Sequence, residues 1–288
     1  MDNFVNCMAH NASEGNLLIG KNKTAMIDCG MQFCAQKTIE NVKNALNGRN
    51  LDYIFATHTH YDHIGALPMF RAAFPDVKLV TCEVGAAVLQ KDTPRRVIRE
   101  LSATAAGDYG IESIDEYSDD AFFADMIVKD GDVIDLGGIS VEVLETPGHT
   151  RDSLSFYIPE LELLTLSETT GVMFPDGSMY PSYLVGFEVS RDAIERCKKY
   201  KFKHLSLPHR GIVDDNAANT YFTKAEEMIE ECYNFVTDMH KKSLSDDEML
   251  DLFFKEFGSE TLLTFQPRAA FDANARATIA CAIREFTE

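Results

Sequence analysis

Four side chains of the kinds that bind transition metals lie within six residues, in the stretch Thr57-His58-Thr59-His60-Tyr61-Asp62-His63. The apolar run at residues 53–57 leads into them and is long enough for one buried strand. Alternate residues leaving a strand end project to one side, and the following turn brings Asp62 and His63 round. Imidazole nitrogens and carboxylate oxygens can then converge at the roughly 2.0–2.2 Å that zinc and its neighbours require. The stretch predicts a metal site; the alternative is a polar loop rich in histidine.

The pattern before residue 91 predicts strands that alternate with helices. Strands are expected at residues 16–19, 24–29, 53–57 and 78–82, and helices at 34–46, 66–74 and 85–90. This alternation is typical of an α/β fold, a sheet with helices packed on it. Residues 91–129 break the pattern and are interpreted as a helical insertion that borders the active site, with a helix at 94–106 and an acidic stretch around 112–120.

The rest of the chain divides into a second block of strands and a helical tail. Strands are expected at residues 133–136, 139–145, 153–158, 161–166 and 204–207, with a helix at 191–200. From residue 214 the pattern is helical, with a capping box at Ser245 and Glu248 and with Pro267 at the start of the last helix. We predict a core domain over residues 1–213 and a helical extension over 214–288 packed on it.

Charge and cysteine content restrict the partners and the compartment. The formal net charge of −19 disfavours nucleic acid and anionic membranes, so a small-molecule substrate is expected, with a homo-oligomer left open. Seven scattered cysteines, none paired as Cys-x-x-Cys, predict reduced buried thiols. The N-terminus shows no basic region followed by an apolar run, so a cytoplasmic location is expected.

The histidine stretch and four further landmarks resemble the metallo-β-lactamase superfamily over roughly residues 15 to 212. The landmarks fall in the order of that family, and they are Met26-Ile27-Asp28-Cys29-Gly30, the stretch from Thr57 to His63, Thr146-Pro147-Gly148-His149-Thr150, Leu164-Thr165-Leu166-Ser167-Glu168 and Leu207-Pro208-His209-Arg210-Gly211. The resemblance implies a four-layer αββα sandwich, here with a C-terminal helical extension. It also implies that Asp28 supports the metal ligands.

The resemblance implies two divalent metal ions, zinc first, with iron or manganese as alternatives. The first ion would be held by His58, His60 and His149, and the second by Asp62, His63 and His209, with Glu168 bridging both. The family usually has Asp at the bridging position. The longer Glu168 side chain either bridges from further back or binds one metal only, which leaves the number of ions open.

The function implied is that of a hydrolase using a metal-bound hydroxide at a dinuclear site, with Asp62 as the catalytic proton carrier. A small thioester, ester or lactone is the expected substrate, as in the thioesterase, lactonase and glyoxalase II-like branches. The first alternative is a non-heme iron redox enzyme similar to sulfur dioxygenases. The second is a metal-containing regulatory or binding protein with little turnover.

The segment at residues 172–187 is the one substrate-binding candidate in the sequence. It follows Glu168 directly and combines apolar bulk with turn-forming residues. Its side chains Met173, Phe174, Tyr180 and Tyr183 are predicted to line one wall of the substrate cleft. The alternative is a loop that packs on the helical tail. His10, His204 and His240 lack ligand spacing and are assigned no role.

Overall fold

The computed structural model describes residues 1–111, 114 and 116–288 and divides into two compact units. Unit 1 comprises Met1–Glu145 and Leu154–Glu162, and unit 2 comprises Thr146–Ser153 and Leu163–Glu288. The boundary predicted at residue 213, between a core domain and a helical extension packed on it, stays a prediction.

Unit 1 contains a sheet whose six strands are β1 (Phe4–Asn6), β2 (Asn16–Ile19), β3 (Thr24–Ile27), β4 (Tyr53–Phe55), β5 (Lys78–Cys82) and β6 (Met126–Val128). The strands lie side by side in chain order; β1 to β3 pair antiparallel, and β3 to β6 pair parallel. Every residue of β3 is buried, as expected for a strand covered on both faces. Parallel pairing puts the carboxyl ends of β3 and β4 at the same edge of the sheet.

Five helices accompany this sheet in the described part of unit 1, namely α1 (Ala35–Leu46), α2 (Tyr61–Ile64), α3 (Leu67–Ala73), α4 (Glu83–Leu89) and α5 (Asp92–Asp108). In α1, the buried side chains Ile39, Val42 and Leu46 recur at helical spacing. The helix ends where Asn47 turns left-handed, with a φ of 48°. The helix predicted in the insertion is confirmed as α5, while residues 112, 113 and 115 of its acidic stretch lie outside the described residues.

Three more strands of unit 1 form an antiparallel meander, β7 (Val133–Asp135), β8 (Ser140–Glu145) and β9 (Leu154–Ile158). The turn between β7 and β8 contains Gly137 with a φ of 86°, and a Cβ there would lie 2.7 Å from Cγ of Asn22. Glycine is therefore required where this turn contacts the β2–β3 turn. Backbone hydrogen bonds connect the two hairpins there.

Unit 2 has two small groups of strands and five helices in its described residues. The strands are β10 (Leu163–Thr165), β11 (Val172–Met173), β12 (Met179–Tyr180), β13 (His204–Leu207) and β14 (Gly211–Ile212). β10 pairs parallel with β13, while β11–β12 and β13–β14 are antiparallel pairs. The helices are α6 (Phe187–Lys198), α7 (Asp215–Lys241), α8 (Asp246–Phe257), α9 (Glu260–Leu263) and α10 (Arg268–Thr287).

The long helix α7 organises unit 2. It contacts α6, α8 and α10 and also reaches β12 and β13. Along it, Tyr221, Ala225, Ile229 and Val236 recur at helical spacing and are all buried. The capping box at Ser245 and Glu248 is confirmed at the start of α8. Pro267 lies one position earlier than predicted, because it is the N-cap of α10 rather than its first helical residue.

Within the described ranges, every helix falls short of the length or the apolar character needed to span a bilayer. All seven cysteines lie in those ranges, and no disulfide joins any of them there. Six are buried, as the sequence predicts, whereas Cys34 is half-buried. Burial raises the pKa of the Cys7 thiol to about 11, so this side chain stays protonated and unreactive.

We expect Tyr221→Phe to lower the free energy of unfolding by about 1–2 kcal/mol, because a buried hydrogen bond is lost. The Tyr221 hydroxyl donates to the carbonyl oxygen of Gly171 at 2.7 Å and lies 2.8 Å from Oγ1 of Thr170. Urea unfolding followed by circular dichroism measures the change. Tyr233→Phe on the same helix is the matched control, because Tyr233 is half-buried and its ring packs on Phe187. Equal stability of both variants would contradict the role given to the Tyr221 hydroxyl.

Candidate metal centre

The histidine stretch, residues 58–63, follows β4 and continues into α2. His60 is the N-cap of α2, so Asp62 and His63 lie in a helical turn rather than in an irregular loop. The ring centroids of His58 and His60 are 4.5 Å apart, and those of His58 and His63 are 4.0 Å apart. His58 and His63 are buried, whereas His60 and Asp62 are half-buried. The stretch therefore gathers its imidazoles at the carboxyl end of β4.

Asp28 anchors the histidine stretch from the end of β3. Its buried carboxylate accepts hydrogen bonds from the backbone N–H and the hydroxyl of Thr57, both at 2.7 Å, and from Nδ1 of His63 at 2.8 Å. Its φ of 57° lies in the left-handed region, which a non-glycine residue adopts only where its surroundings hold it. A buried carboxylate is stable only when it is hydrogen-bonded, and these three bonds satisfy both oxygens.

The hydrogen bonds of Asp28 and Thr57 assign the tautomers of two histidines. The Thr57 hydroxyl has one proton, which it donates to Asp28, so its oxygen accepts from Nδ1 of His58 at 3.1 Å. A carboxylate only accepts, so Nδ1 of His63 carries a proton as well. In the neutral form of both rings, Nε2 is then the unprotonated nitrogen. Histidines that bind metals show this pattern, with the other ring N–H donated to an oxygen.

His149 lies in the segment Thr146–Ser153 of unit 2 and is oriented in the same way. Its backbone N–H donates to Oγ1 of Thr169 at 3.0 Å, and its Nδ1 lies 3.1 Å from the carbonyl oxygen of Ser182. Because a carbonyl only accepts, Nδ1 carries the proton and Nε2 is the nitrogen left for a metal. The preceding Gly148 has a φ of 155°, and a Cβ there would come within 2.3 Å of Oγ of Ser190. Glycine is needed at this close approach.

Glu168 faces two histidines of unit 2 with its two oxygens. Oε2 lies 3.4 Å from Nε2 of His149, and Oε1 lies 3.0 Å from Nε2 of His209. β10 ends at Thr165, and Glu168 begins a short 3-10 turn beyond it. Each oxygen thus meets a different histidine, which is the arrangement that a bridging carboxylate requires.

His209 is presented by the tight hairpin between β13 and β14. The hairpin is closed by the pairing of Leu207 with Gly211. His209 has a φ of 59°, so its backbone is in the left-handed region. Such a residue costs about 1–3 kcal/mol, a strain that is found most often at functional sites. The strained turn therefore positions the imidazole of His209 at a cost in local stability.

The seven predicted ligands divide between the two units. His58, His60, Asp62 and His63 lie together in unit 1, and His149, Glu168 and His209 lie together in unit 2. Two ligands bound tetrahedrally to one metal at about 2.1 Å are roughly 3.4 Å apart. The distances from Glu168 to its two histidines, and the 3.6 Å between Oδ2 of Asp62 and Nε2 of His63, are close to that value. The donor set and its spacing fit divalent metal ions.

The four predicted substrate-binding residues are all buried in unit 2. The ring of Phe174 packs on Phe265, that of Tyr180 on Phe271, and that of Tyr183 on Phe187. Met173, the fourth, is 1% exposed. Phe265 and Phe271 belong to the helical tail, so the contacts of Phe174 and Tyr180 favour the alternative considered above, in which the segment packs on that tail. Phe187 is the last residue of the segment itself. Contact with a substrate stays a prediction.

Sequence reasoning gave no role to Thr57 or Ser182, although both orient metal-binding histidines. The position of Thr57 could have indicated its role, because a hydroxyl directly before the first histidine reaches both His58 and Asp28, at the end of the neighbouring strand. No feature of the sequence marks Ser182 in this way. Its carbonyl and hydroxyl meet His149 across 33 residues of chain, at 3.1 and 2.8 Å.

Comparison with known proteins identifies the family to which this chain belongs. A sequence model of the metallo-beta-lactamase superfamily matches residues 16–209, and the chain belongs to that superfamily. Solved structures share the fold: the family protein TTHA1429 from Thermus thermophilus aligns over 100% of this chain and 95% of its own, with 17% identity and a TM-score of 0.60. The predicted superfamily and fold class, with mixed α and β content and a helical C-terminal region, are confirmed.

Sequence relatives include both hydrolytic and redox proteins. The metallo-beta-lactamase fold-containing protein ST1585 of Sulfurisphaera tokodaii is 24% identical over 68% of this chain and 72% of its own length. An anaerobic nitric oxide reductase flavorubredoxin of Shigella dysenteriae is 25% identical over 70% of this chain. A hydroxyacylglutathione hydrolase of Idiomarina loihiensis is 28% identical over 48%. The matches cover only 36% of the flavorubredoxin and 39% of the hydrolase.

We expect Asp28→Asn to weaken metal binding about 10–100-fold, because the amide loses the charge and one acceptor that orient His63 and Thr57. Metal content per chain after dialysis against chelators of increasing strength measures this effect. Asp52→Asn is the matched control, since Asp52 also accepts a backbone N–H, that of Thr24 at 2.9 Å, but pairs with Lys23. Metal retention that is equal in both variants would separate Asp28 from the metal centre.

For Glu168, we expect Glu168→Asp to retain more metal than Glu168→Gln. The Asp side chain keeps the charge that offsets two dications, whereas the amide keeps the length and loses the charge. Elemental analysis after dialysis against a weak chelator gives metals per chain. Two metals retained by the wild type and by both variants would show that Glu168 is not a ligand.

Proposed function

We propose that this protein is a metal-dependent hydrolase with a dinuclear centre that acts on a small thioester, ester or lactone. The observation that carries the proposal is a cluster of donor residues in each unit, supplied with histidines whose Nε2 is left for a metal, His63 in unit 1 and His149 in unit 2. His58, His60 and His149 would hold the first ion. Asp62, His63 and His209 would hold the second, with Glu168 bridging.

The donor set favours zinc, with iron or manganese as alternatives, because imidazole and carboxylate ligands suit all three. When bound, two such ions lower the pKa of a shared water and polarise the oxygen of the bond under attack. Asp62 and Glu168 contribute two negative charges toward the four positive charges of the ions, so their carboxylates lower the cost of holding two dications together.

Asp62 is the residue suited to proton transfer. It is half-buried at the first turn of α2, whereas Asp28 is buried and bound through three hydrogen bonds. A carboxylate that reaches the attacked bond can accept the proton of a water and pass it to the leaving group. Asp28 acts through Thr57 and His63 and holds their orientation. Asp62 and Asp28 thus have different roles, and the difference in their burial accounts for this.

The choice of a thioester or a related bond is supported by one relative and by the charge of the chain. That relative is named a hydroxyacylglutathione hydrolase, and an acylglutathione is a thioester. The net charge of −19 disfavours nucleic acid and anionic lipid as partners and leaves a small molecule as the substrate class.

A second candidate function is a non-heme iron redox enzyme. The match to a nitric oxide reductase flavorubredoxin over 205 residues favours it. Iron as the predominant native metal, with consumption of oxygen or nitric oxide and no hydrolysis, would support this candidate. A third candidate, a regulatory metal protein, predicts tight ligand binding without turnover.

Metal analysis of the native protein and a panel of thioester, lactone, ester and phosphodiester substrates test the proposal together. We expect hydrolysis of a thioester, ester or lactone, and we expect Asp62→Asn to lower turnover about 10²–10⁴-fold, the usual contribution of a proton-transfer group. Asp76→Asn, at an exposed carboxylate outside the donor groups, is the control. Near-normal turnover in Asp62→Asn would remove this residue from the mechanism, and no hydrolysis of any panel member by the metal-loaded wild type would reject the function.

A further inference from the structure

Three aromatic rings of unit 1 come together from distant parts of the sequence. His10 lies in the loop before β2, Phe33 lies in a short 3-10 turn after β3, and Tyr109 follows the last turn of α5. The ring centroid of His10 is 5.2 Å from that of Phe33 and 4.4 Å from that of Tyr109. The rings of Phe33 and Tyr109 are 5.4 Å apart, so each ring touches the other two. We call these residues the aromatic wall.

The aromatic wall is supported from behind and remains accessible in front. Behind it lies a small cluster of buried side chains, Ala12, Met31 and Ala105, against which Phe33 and Tyr109 pack. All three rings are themselves half-buried. Small residues beneath large rings fix the position of the rings while leaving part of their surface open, as small-molecule sites require.

The wall lies beside the histidine stretch. Tyr61, the residue before Asp62, packs against the same buried cluster, and α5 packs on α2. Burial and the carboxylates of Asp62 and Asp108 raise the pKa of Tyr109 to about 12. The phenol is therefore protonated at neutral pH and within electrostatic reach of Asp62, the proposed proton carrier.

His10 adds an uncharged hydrogen-bond donor to this surface. The backbone N–H of Ala12 donates to Nδ1 of His10 at 3.2 Å, so the ring proton is on Nε2. Burial lowers the pKa of His10, which keeps the imidazole neutral at pH 7. The charged groups that act on Tyr109 are both carboxylates. The carboxylate of Asp108, which lies outside the donor residues, disfavours a negatively charged ligand group beside Tyr109, whereas a neutral aromatic group stacks on the rings.

We infer that the aromatic wall is the acyl-group subsite of the proposed hydrolase and selects substrates with an uncharged aryl acyl group. This inference rests on the proposed function, because it places the acyl part of the substrate against the wall and the reacting bond near Asp62. The residues of the aromatic wall specify the substrate and take no part in bond cleavage.

The kinetic test compares kcat/KM for phenylacetyl, acetyl and succinyl thioesters of one thiol. We expect the wild type to prefer phenylacetyl, and Phe33→Ala and Phe33→Leu to lose about tenfold of that preference, since one aromatic contact and its buried area contribute about that factor. Phe33→Leu keeps apolar bulk and therefore remains informative if the alanine variant folds poorly. Leu101→Ala, at a side chain that is 42% exposed on α5, is the control and should leave the preference unchanged.

A binding test separates failure of this inference from failure of the proposed function. Saturation-transfer NMR with phenylacetamide, an uncharged ligand that needs no turnover, should show ring contact in the wild type and in Leu101→Ala and lose it in Phe33→Leu. Such binding without hydrolysis of any ester would keep the wall and reject the hydrolase. An unchanged acyl preference in folded Phe33→Leu, or phenylacetamide binding that is absent from the wild type or equal in all variants, would overturn the inference.

Discussion

The buried carboxylate of Asp28 is the constraint on which the histidine stretch depends. It joins the ends of two parallel strands to the first turn of α2, through one backbone N–H, one hydroxyl and one imidazole. An unpaired carboxylate in this position would cost several kcal/mol. The three donors therefore have to be in place together, and that requirement fixes the ring orientation of His63 and, through Thr57, that of His58. The metal-binding geometry is thus a consequence of satisfying one buried charge.

The strands, the helices and the spacing of the histidine stretch could be predicted because their signals are local, whereas the fold class and the roles of His149, Glu168 and His209 were implied by the family resemblance. Alternation of apolar residues predicts the strands, and the spacing of His58, His60, Asp62 and His63 is set by a strand end and a single turn. The segment at 172–187 shows where such reasoning fails. Apolar bulk and turn-forming residues describe a lining and a packed hairpin equally well, and only the contacts with Phe265 and Phe271 of the tail distinguish the two.

The aromatic wall could not be predicted for a different reason. His10, Phe33 and Tyr109 are separated by 23 and 76 residues, and no periodicity relates a loop, a short turn and the end of a helix. Their meeting depends on how α5 packs against α2 and the turn after β3, which is a property of tertiary packing. The helix α5, which the sequence pattern suggests is part of an insertion, thus brings an aromatic side chain to the histidine stretch, while its own pattern predicts only that it is a helix.

Each unit consists of two separate stretches of the chain, and this arrangement limits what recombination of the gene can exchange. The segment Thr146–Ser153, which carries His149, belongs to unit 2, yet the strands on either side of it belong to unit 1. Neither unit is encoded by one uninterrupted stretch, so no single truncation or gene fusion transfers one complete unit without part of the other. Recombination within such a gene would exchange incomplete donor sets. We therefore expect a new activity on this scaffold to arise by substitution rather than by exchange of halves.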